Sequence, residues 1–368
     1  MKKITFNRSS GPTIGVELEV QLLDPETLEL VPLAPDILKK VPQELKDRIK
    51  PEFIQSMVEI NTDVCSTVAE VEKDLKGTYN KLNDIAEGLG TVLSLSSIHP
   101  FSKSSDQKVS EKLRYKKIMD ELQLVGRQFI TQGLHVHIGV TDEEEAIKIN
   151  NNLRIYLPVL LALTASSPFY ESEDTGLMSY RSKLFEALPF AGMPDSLDGW
   201  DEYTRLVTLL KKSRVIESVK DIWWDVRPHP YFGTIEVRIC DLPCFFRDVL
   251  AITALIQALV VALADQFENP EPHIQILRSN KWQAARHGLD GFYMDPFLGK
   301  KYTMREAATY LYKHVKPVAK ELGSTDYLNG IPGILERSTS ASIQKNLYYS
   351  NGRDFIGMIR SMQGLFFK

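Results

Sequence analysis

GTIEVRICD, residues 233–241, alternates Ile235, Val237 and Ile239 with Glu236 and Arg238. A period of two is the mark of a strand with one buried face. A carboxylate and a guanidinium side by side cannot both enter an apolar core, so the polar face should look into a wet, charged cavity. The same pattern recurs twice. In TIGVELEVQLL (13–23), Val16, Leu18 and Val20 alternate with Glu17 and Glu19; in GLHVHIGV (133–140), Leu134, Val136 and Ile138 alternate with His135 and His137. Three strands thus offer Glu, Glu, His, His, Glu and Arg, a set that can hold divalent metals and, through them, phosphates.

Between and beyond these strands the chain alternates strand and helix signals. The second half of PEFIQSMVEINT (51–62) sets Met57, Glu59 and Asn61 against Val58 and Ile60 and predicts a further strand. A helix is predicted from Val68 to Glu87, stopped at Gly88 and Gly90 by a left-handed cap. VLSLSSIHP (92–100) reads as strand and VSEKLRYKKIMDELQLVG (109–126) as helix. Thr141 and Glu144 form a capping box for a long helix carrying NNLRIYLPVLLALTAS, which Pro158 should bend or break. Helices dominate after Asp241, including MREAATYLYKHVKPVAKELG (304–323). Antiparallel strands with helices gathered around them predict an α+β fold. No linker, repeat or low-complexity block interrupts the chain, so residues 1–368 are expected to form one domain.

Composition narrows the function classes. The 368 residues are 43% hydrophobic, ample for a large core, and 44 Lys plus Arg against 48 Asp plus Glu give a net charge of −4. That balance lacks the basic excess of a nucleic-acid binder. The apolar run Val249–Ala264 is bracketed by Asp248 and Asp265 and falls short of the ~20 residues a membrane span needs. A buried core helix is expected there, and no membrane partner. MKKITFNRSS has no signal-peptide core after it, and three cysteines cannot pair completely, so a cytoplasmic protein with reduced thiols is expected.

Taken singly, the charged features have plain readings. Glu17-x-Glu19 is a solvated strand face, Glu143–Glu145 suits a helix N-terminus, and Trp223 and Trp224 are core or cavity wall. Cys240 and Cys244 lack the second pair a structural zinc site needs. By parity Cys240 shares the polar face of Glu236, which makes it the one strand-face candidate for a covalent nucleophile. The chain has neither a Walker-type nor a Gly-x-Gly-x-x-Gly loop. Nucleotide phosphates would therefore need carboxylate-bound metal plus arginines, for which Arg227, Arg238 and Arg286 are available. Clustered glutamates with one histidine suit Mg²⁺ or Mn²⁺ better than zinc.

GVELEVQLLD (15–24), PEFIQSMVEINTDVC (51–65), GLHVHIGV (133–140), LLALTASSPFY (160–170), DTGLMSYRSKLFEALPFAGMP (174–194), DVRPHPYFGTIEVRICD (225–241) and NKWQAARHGLD (280–290) together resemble the glutamate-cysteine ligase type 2 family, bacterial carboxylate-amine ligases with a glutamine-synthetase-like fold. After residue 290 the resemblance carries little. It implies a roughly six-stranded antiparallel half-barrel whose concave face holds ATP and divalent ions, with Glu17, Glu19, Glu52, Glu59, His135 and Glu236 as metal ligands and His137 behind them. Glu52 and Glu59 lie an odd interval apart, so a turn is required between them, expected at Gln55–Met57. The resemblance also implies Arg154 and Arg181 for amino-acid substrates, and Arg227, Arg238, Asn280 and Arg286 for ATP, with Arg227 and Arg238 also in catalysis. The implied reaction joins the γ-carboxylate of L-glutamate to an amine such as L-cysteine through an acyl phosphate. The rivals are a zinc hydrolase built on His135 and His137 and a regulator that binds nucleotide or amino acid without turnover. The amine acceptor and any homo-oligomer are left open.

Overall fold

The computed structural model describes residues 4–265 and 271–367. Seven strands form its main sheet: β1 (Ile14–Leu23), β2 (Ile49–Pro51), β3 (Met57–Asn61), β4 (Val92–Ser94), β5 (Leu134–Gly139), β6 (Val226–His229) and β7 (Thr234–Val237). Their order is β6-β7-β5-β1-β3-β2, and every pairing is antiparallel. The seventh strand, beyond the roughly six expected, is β4. It pairs with Gln21–Leu23 of β1, past the point where β5 has ended at Leu18. With helices packed on the sheet, this is the expected α+β class.

Strand parity sorts the two faces. Val16, Leu18, Val20, Val58, Ile60, Leu134, Val136, Ile138, Ile235 and Val237 are all buried on one face, each contributing about 1.5–3 kcal/mol through removal from water. Over that face pack the helices Val68–Glu87, Glu143–Leu153 and Phe246–Asp265. On the other face the register sets Glu19 opposite Glu59, Glu59 opposite Lys50, Glu17 opposite His135, and Glu236 between His137 and Arg227. Turn residues Gln55 and Ser56, within the stretch expected to turn, fold β2 back onto β3.

Several local expectations are corrected. The helix Val68–Glu87 has its predicted bounds and is capped by the Thr67 side chain, but Gly88 keeps a right-handed φ of −64° and the left-handed residue is Gly90. The cap of the next long helix is Asp142, which accepts from the Glu144 and Glu145 amides, while Thr141 bonds the Glu145 carboxylate. That helix divides into Glu143–Leu153 and Leu157–Thr164, with Pro158 in the first turn of the second, where its missing N–H removes no bond. Only Val92–Ser94 of VLSLSSIHP is strand, and the predicted helix over 109–126 begins at Leu113 and breaks at Gln123, whose φ is +49°.

The apolar helix runs Phe246–Asp265, 20 residues, so length alone would let it cross a membrane. Its surroundings decide otherwise. It packs against β5 and against the helices Glu143–Leu153 and Met304–Glu321, with 83% of its apolar window buried inside the protein. Leu255→Ala should therefore lower stability by about 2–5 kcal/mol in urea unfolding. A loss below ~0.5 kcal/mol, the size expected of a surface position, would contradict the core assignment.

Candidate active site

A cavity of about 280 Å³ opens over the polar sheet face. Among the described residues two groups present donor atoms all within 4.8 Å of one another: Glu17, His135 and Glu236, and Glu19, Glu52 and Glu59. Sheet register makes the first group. Glu17 Oε2 lies 3.2 Å from His135 Nδ1, and His137 Nε2 lies 3.5 Å from Glu17 Oε1 and 3.8 Å from Glu236 Oε1. The Thr234 hydroxyl fixes the other ring nitrogen of His137 at 2.9 Å. The β2–β3 turn makes the second group by bringing Glu52 beside Glu59, while the Gly133 amide donates to Glu19 at 2.6 Å.

Charge compensation differs between the groups. Burial pushes the Glu236 carboxyl up, but Arg227, Arg238 and His137 outweigh it and hold it well below the usual range. Burial likewise raises Glu17, and His135 and His137 reverse the effect. Burial and then Arg238 depress His135 to about 4, so its ring is neutral and can ligate. In the second group positive neighbours do not outweigh burial. Burial, only partly offset by Arg181 and reinforced by Glu59, lifts Glu19 to about 7; burial with the charges of Glu59 and Glu19 lifts Glu52 well above its ordinary value. Three crowded carboxyls, all pushed up by burial, fit a divalent cation, as do the buried Nε2 atoms of His135 and His137, which have no hydrogen-bond partner among the described residues.

All six residues carried over as metal ligands face this cavity, together with Arg227 and Arg238. Those two arginines differ. Arg227 spends its fork on Glu236, at 2.7 and 3.2 Å, and its Nη1 on the carbonyls of Ile222, Val219 and Lys220. It positions Glu236 and keeps a single Nη2 hydrogen uncommitted among these bonds. Arg238 bonds Glu236 through Nη1 alone, and its Nε is buried without a partner among the described residues.

Four expected site residues lie elsewhere. Arg154 is buried at a helix end on the carbonyls of Asn151 and Pro194 and on Glu271. Arg181 packs beneath the sheet edge against the Gly133 backbone and donates to the carbonyls of Ile239 and Arg238, so it reaches the site only through its charge on Glu19. Asn280 bonds both backbone groups of Met294, and exposed Arg286 bonds the Gly176 carbonyl. Cys240 is also withdrawn. The amides of Arg238 and Ile239 both donate to the Asp225 carbonyl, the chain bends after β7, and the Cys240 thiol enters the core, where burial pushes it up to about 12. Sequence reasoning missed the cavity residues Lys50, Lys112, Arg114 and Lys220. Only Lys50 had a readable signal, its register opposite Glu59, and that requires recognising the three-residue strand β2.

The sequence profile described as glutamate-cysteine ligase family 2 matches residues 13–352. The chain belongs to that family. The match extends well past residue 290, so the helices from Met304 to Ser350 are part of the family pattern, while the last helix, Phe355–Gln363, lies beyond the match. Two relatives bearing the name "Putative glutamate--cysteine ligase 2" come from Gloeobacter violaceus, 38% identical over 366 residues (98% of each chain), and Thermobifida fusca, 37% identical over 357 residues (95% of this chain and 90% of that one). Among solved structures, a glutamate–cysteine ligase from Francisella tularensis in complex with AMP shares the fold with a TM-score of 0.74 at 14% identity, covering 98% of this chain and 89% of that one. A bifunctional glutathione synthetase from Pasteurella multocida aligns with a TM-score of 0.73 at 13% identity, over 96% of this chain and 52% of that one. The fold is thus the expected glutamine-synthetase-like one, and the protein is a ligase of the glutamate-cysteine ligase family.

Protonation of the second group gives a test. Because Glu19 rises from its ordinary 4.5 to about 7, the folded protein holds protons that the unfolded chain has released. Without a cation this group's contribution to stability therefore falls as pH rises from about 4.5 through about 7. Saturating Mg²⁺ should raise Tm more at pH 8 than at pH 5.5, whereas an equal or smaller rise at pH 8 would contradict a cation between these carboxylates.

Proposed function

We propose that this protein is an ATP-dependent, ADP-forming carboxylate-amine ligase that activates the γ-carboxylate of L-glutamate, with L-cysteine as the simplest amine. The observation that supports it most is the adjacency of two buried carboxylate groups with an arginine, Arg238, whose donors are not all spent. In this reading Glu17, His135 and Glu236 hold one divalent ion and Glu19, Glu52 and Glu59 another, Mg²⁺ or Mn²⁺. Such ions, when bound, neutralise polyphosphate charge and align the transferring phosphoryl group.

A glutamate γ-carboxylate oxygen attacks the γ-phosphorus, the bond to the β-phosphate oxygen breaks, and ADP leaves. The amine nitrogen then adds to the acyl carbon, the bond to the phosphorylated oxygen breaks, phosphate departs, and the nitrogen loses a proton as the amide forms. Arg238 faces the phosphoryl oxygens with its planar fork, and Arg227 keeps Glu236 ionised and in place. Lys50, Lys112, Arg114 and Lys220 add positive charge at the cavity wall and mouth for the anionic substrates. Three free, buried cysteines suit a reducing cytoplasm. A zinc hydrolase on His135 and His137 is the weaker reading, since oxygen donors complete the group that contains His135.

Glutamate, Mg²⁺-ATP and hydroxylamine, with cysteine omitted, should yield γ-glutamyl hydroxamate and stoichiometric ADP. AMP with pyrophosphate instead would defeat the acyl-phosphate route. Arg238→Lys should depress hydroxamate formation at least ~100-fold, the scale of losing one preorganised donor to developing charge. Cys240→Ser should leave it near normal. Glu236→Gln should abolish turnover in a folded protein, and unchanged turnover in that variant would remove Glu236 from the metal set.

A further inference from the structure

The hairpin between β6 and β7 ends in two exposed aromatics, Tyr231 (56% exposed) and Phe232 (57%). Exposed rings are common, but this tip is built. The Asn7 amide donates to the Pro230 carbonyl at 2.9 Å, and the Asn7 side chain donates to the Tyr231 carbonyl at 2.8 Å. Gly233, at φ +66°, lies so close to Asn7 that any Cβ would collide with its carbonyl oxygen. Within the turn, the amides of Phe232 and Gly233 both donate to the His229 carbonyl.

Side chains hold the ring as firmly as the backbone does. Buried His229 stacks on Phe232 with centroids 4.2 Å apart and planes 15° apart, and His137 meets it edge-on at 5.6 Å. One face of the phenyl ring is therefore covered, and its exposure falls on the opposite face and rim. Phe232 also lines the mouth of the same cavity that holds Glu17, Glu236 and Arg238. His137 spans the gap between Glu236 and Phe232, its ring 5.6 Å from that of Phe232 and its Nε2 3.8 Å from Glu236 Oε1. An extended nucleoside triphosphate with its terminal phosphates at Glu236 and Arg238 reaches across that gap with its base.

We propose that Phe232, backed by His229, is the platform on which the purine base of the nucleotide stacks. The proposal rests on the ATP-dependent reading above and assigns the base end of that ligand. A rigid aromatic face binds a base through its π-surface without requiring hydrogen bonds to its edge. Order imposed in advance by Asn7, Gly233 and His229 lowers the entropy lost on binding.

The test compares calorimetric binding of a non-hydrolysable ATP analogue with a β,γ-imido bridge and of inorganic tripolyphosphate, both with Mg²⁺, to the unaltered protein, Phe232→Ala and Phe232→Trp. Alanine should weaken the analogue roughly 5- to 150-fold, the range for loss of one base-stacking partner, and leave tripolyphosphate unchanged. Tryptophan should keep analogue affinity within a few-fold of the original. An alanine variant that binds the analogue as tightly as before, or that loses both ligands equally, overturns the platform. So does a change in sedimentation coefficient with analogue affinity intact, which would mean that the aromatic tip seats a second copy of the chain. If the unaltered protein binds neither ligand, the ATP-dependent reading itself fails. Binding that is indifferent to Phe232 removes the platform alone.

Discussion

Five glutamates crowded onto one sheet face repel one another, and their burial strips away the water that would screen them. Much of the surrounding structure answers that repulsion. Arg227 and Arg238 neutralise Glu236, His135 bonds Glu17 with His137 Nε2 3.5 Å from the same carboxylate, and the Gly133 amide reaches Glu19. Glu52 accepts from the Phe53 amide and Glu59 from the Asn61 side chain, with Lys50 a nearby charge on Glu59, yet burial and crowding still push both carboxyls up. In the proposed reading, divalent ions complete the balance, most of all in the half where burial pushes the carboxyls up.

The compensation depends on groups outside the cavity. Arg227 holds Glu236 only because three carbonyls of residues 219–222 hold Arg227. Behind this strand, buried Lys281 bridges Asp225 and Glu186 at 2.6 and 2.8 Å, and the Asp225 carbonyl takes the two amides that bend the chain after β7. Arg181 packs where a side chain on residue 133 would stand, so Gly133 is required for its amide to meet Glu19 while the guanidinium lies alongside. Such buried ion pairs serve here to fix where the charged groups point, a role that suits a site sensitive to small displacements.

Strand parity survives folding, and for that reason Glu17, Glu19, His135 and Glu236 were legible in the sequence. Glu52 lies just past β2, off any alternation, and only its place in a family motif selected it. Parity failed for Cys240 because two consecutive amides share one carbonyl and turn the chain inward, an event without a sequence period. Arg154, Arg181 and Asn280 were chosen from the family resemblance and Arg286 as an arginine available for phosphates, and their donors go chiefly to backbone carbonyls at helix ends and turns, contacts that tertiary packing decides. Arg114 pairs with Asp221, 107 residues away, and no local pattern announces such a partner. The fold class was readable because the strands and the long helices are strongly periodic, whereas the three-residue strands β2 and β4 carry too few residues to show a period.

The central claim is that two separate carboxylate groups each hold a divalent ion. Anomalous diffraction from crystals grown with Mn²⁺ tests it directly. The account predicts two peaks, one among Glu17, His135 and Glu236 and the other among Glu19, Glu52 and Glu59. A single peak between His135 and His137, or no peak in this cavity at saturating Mn²⁺, would contradict it.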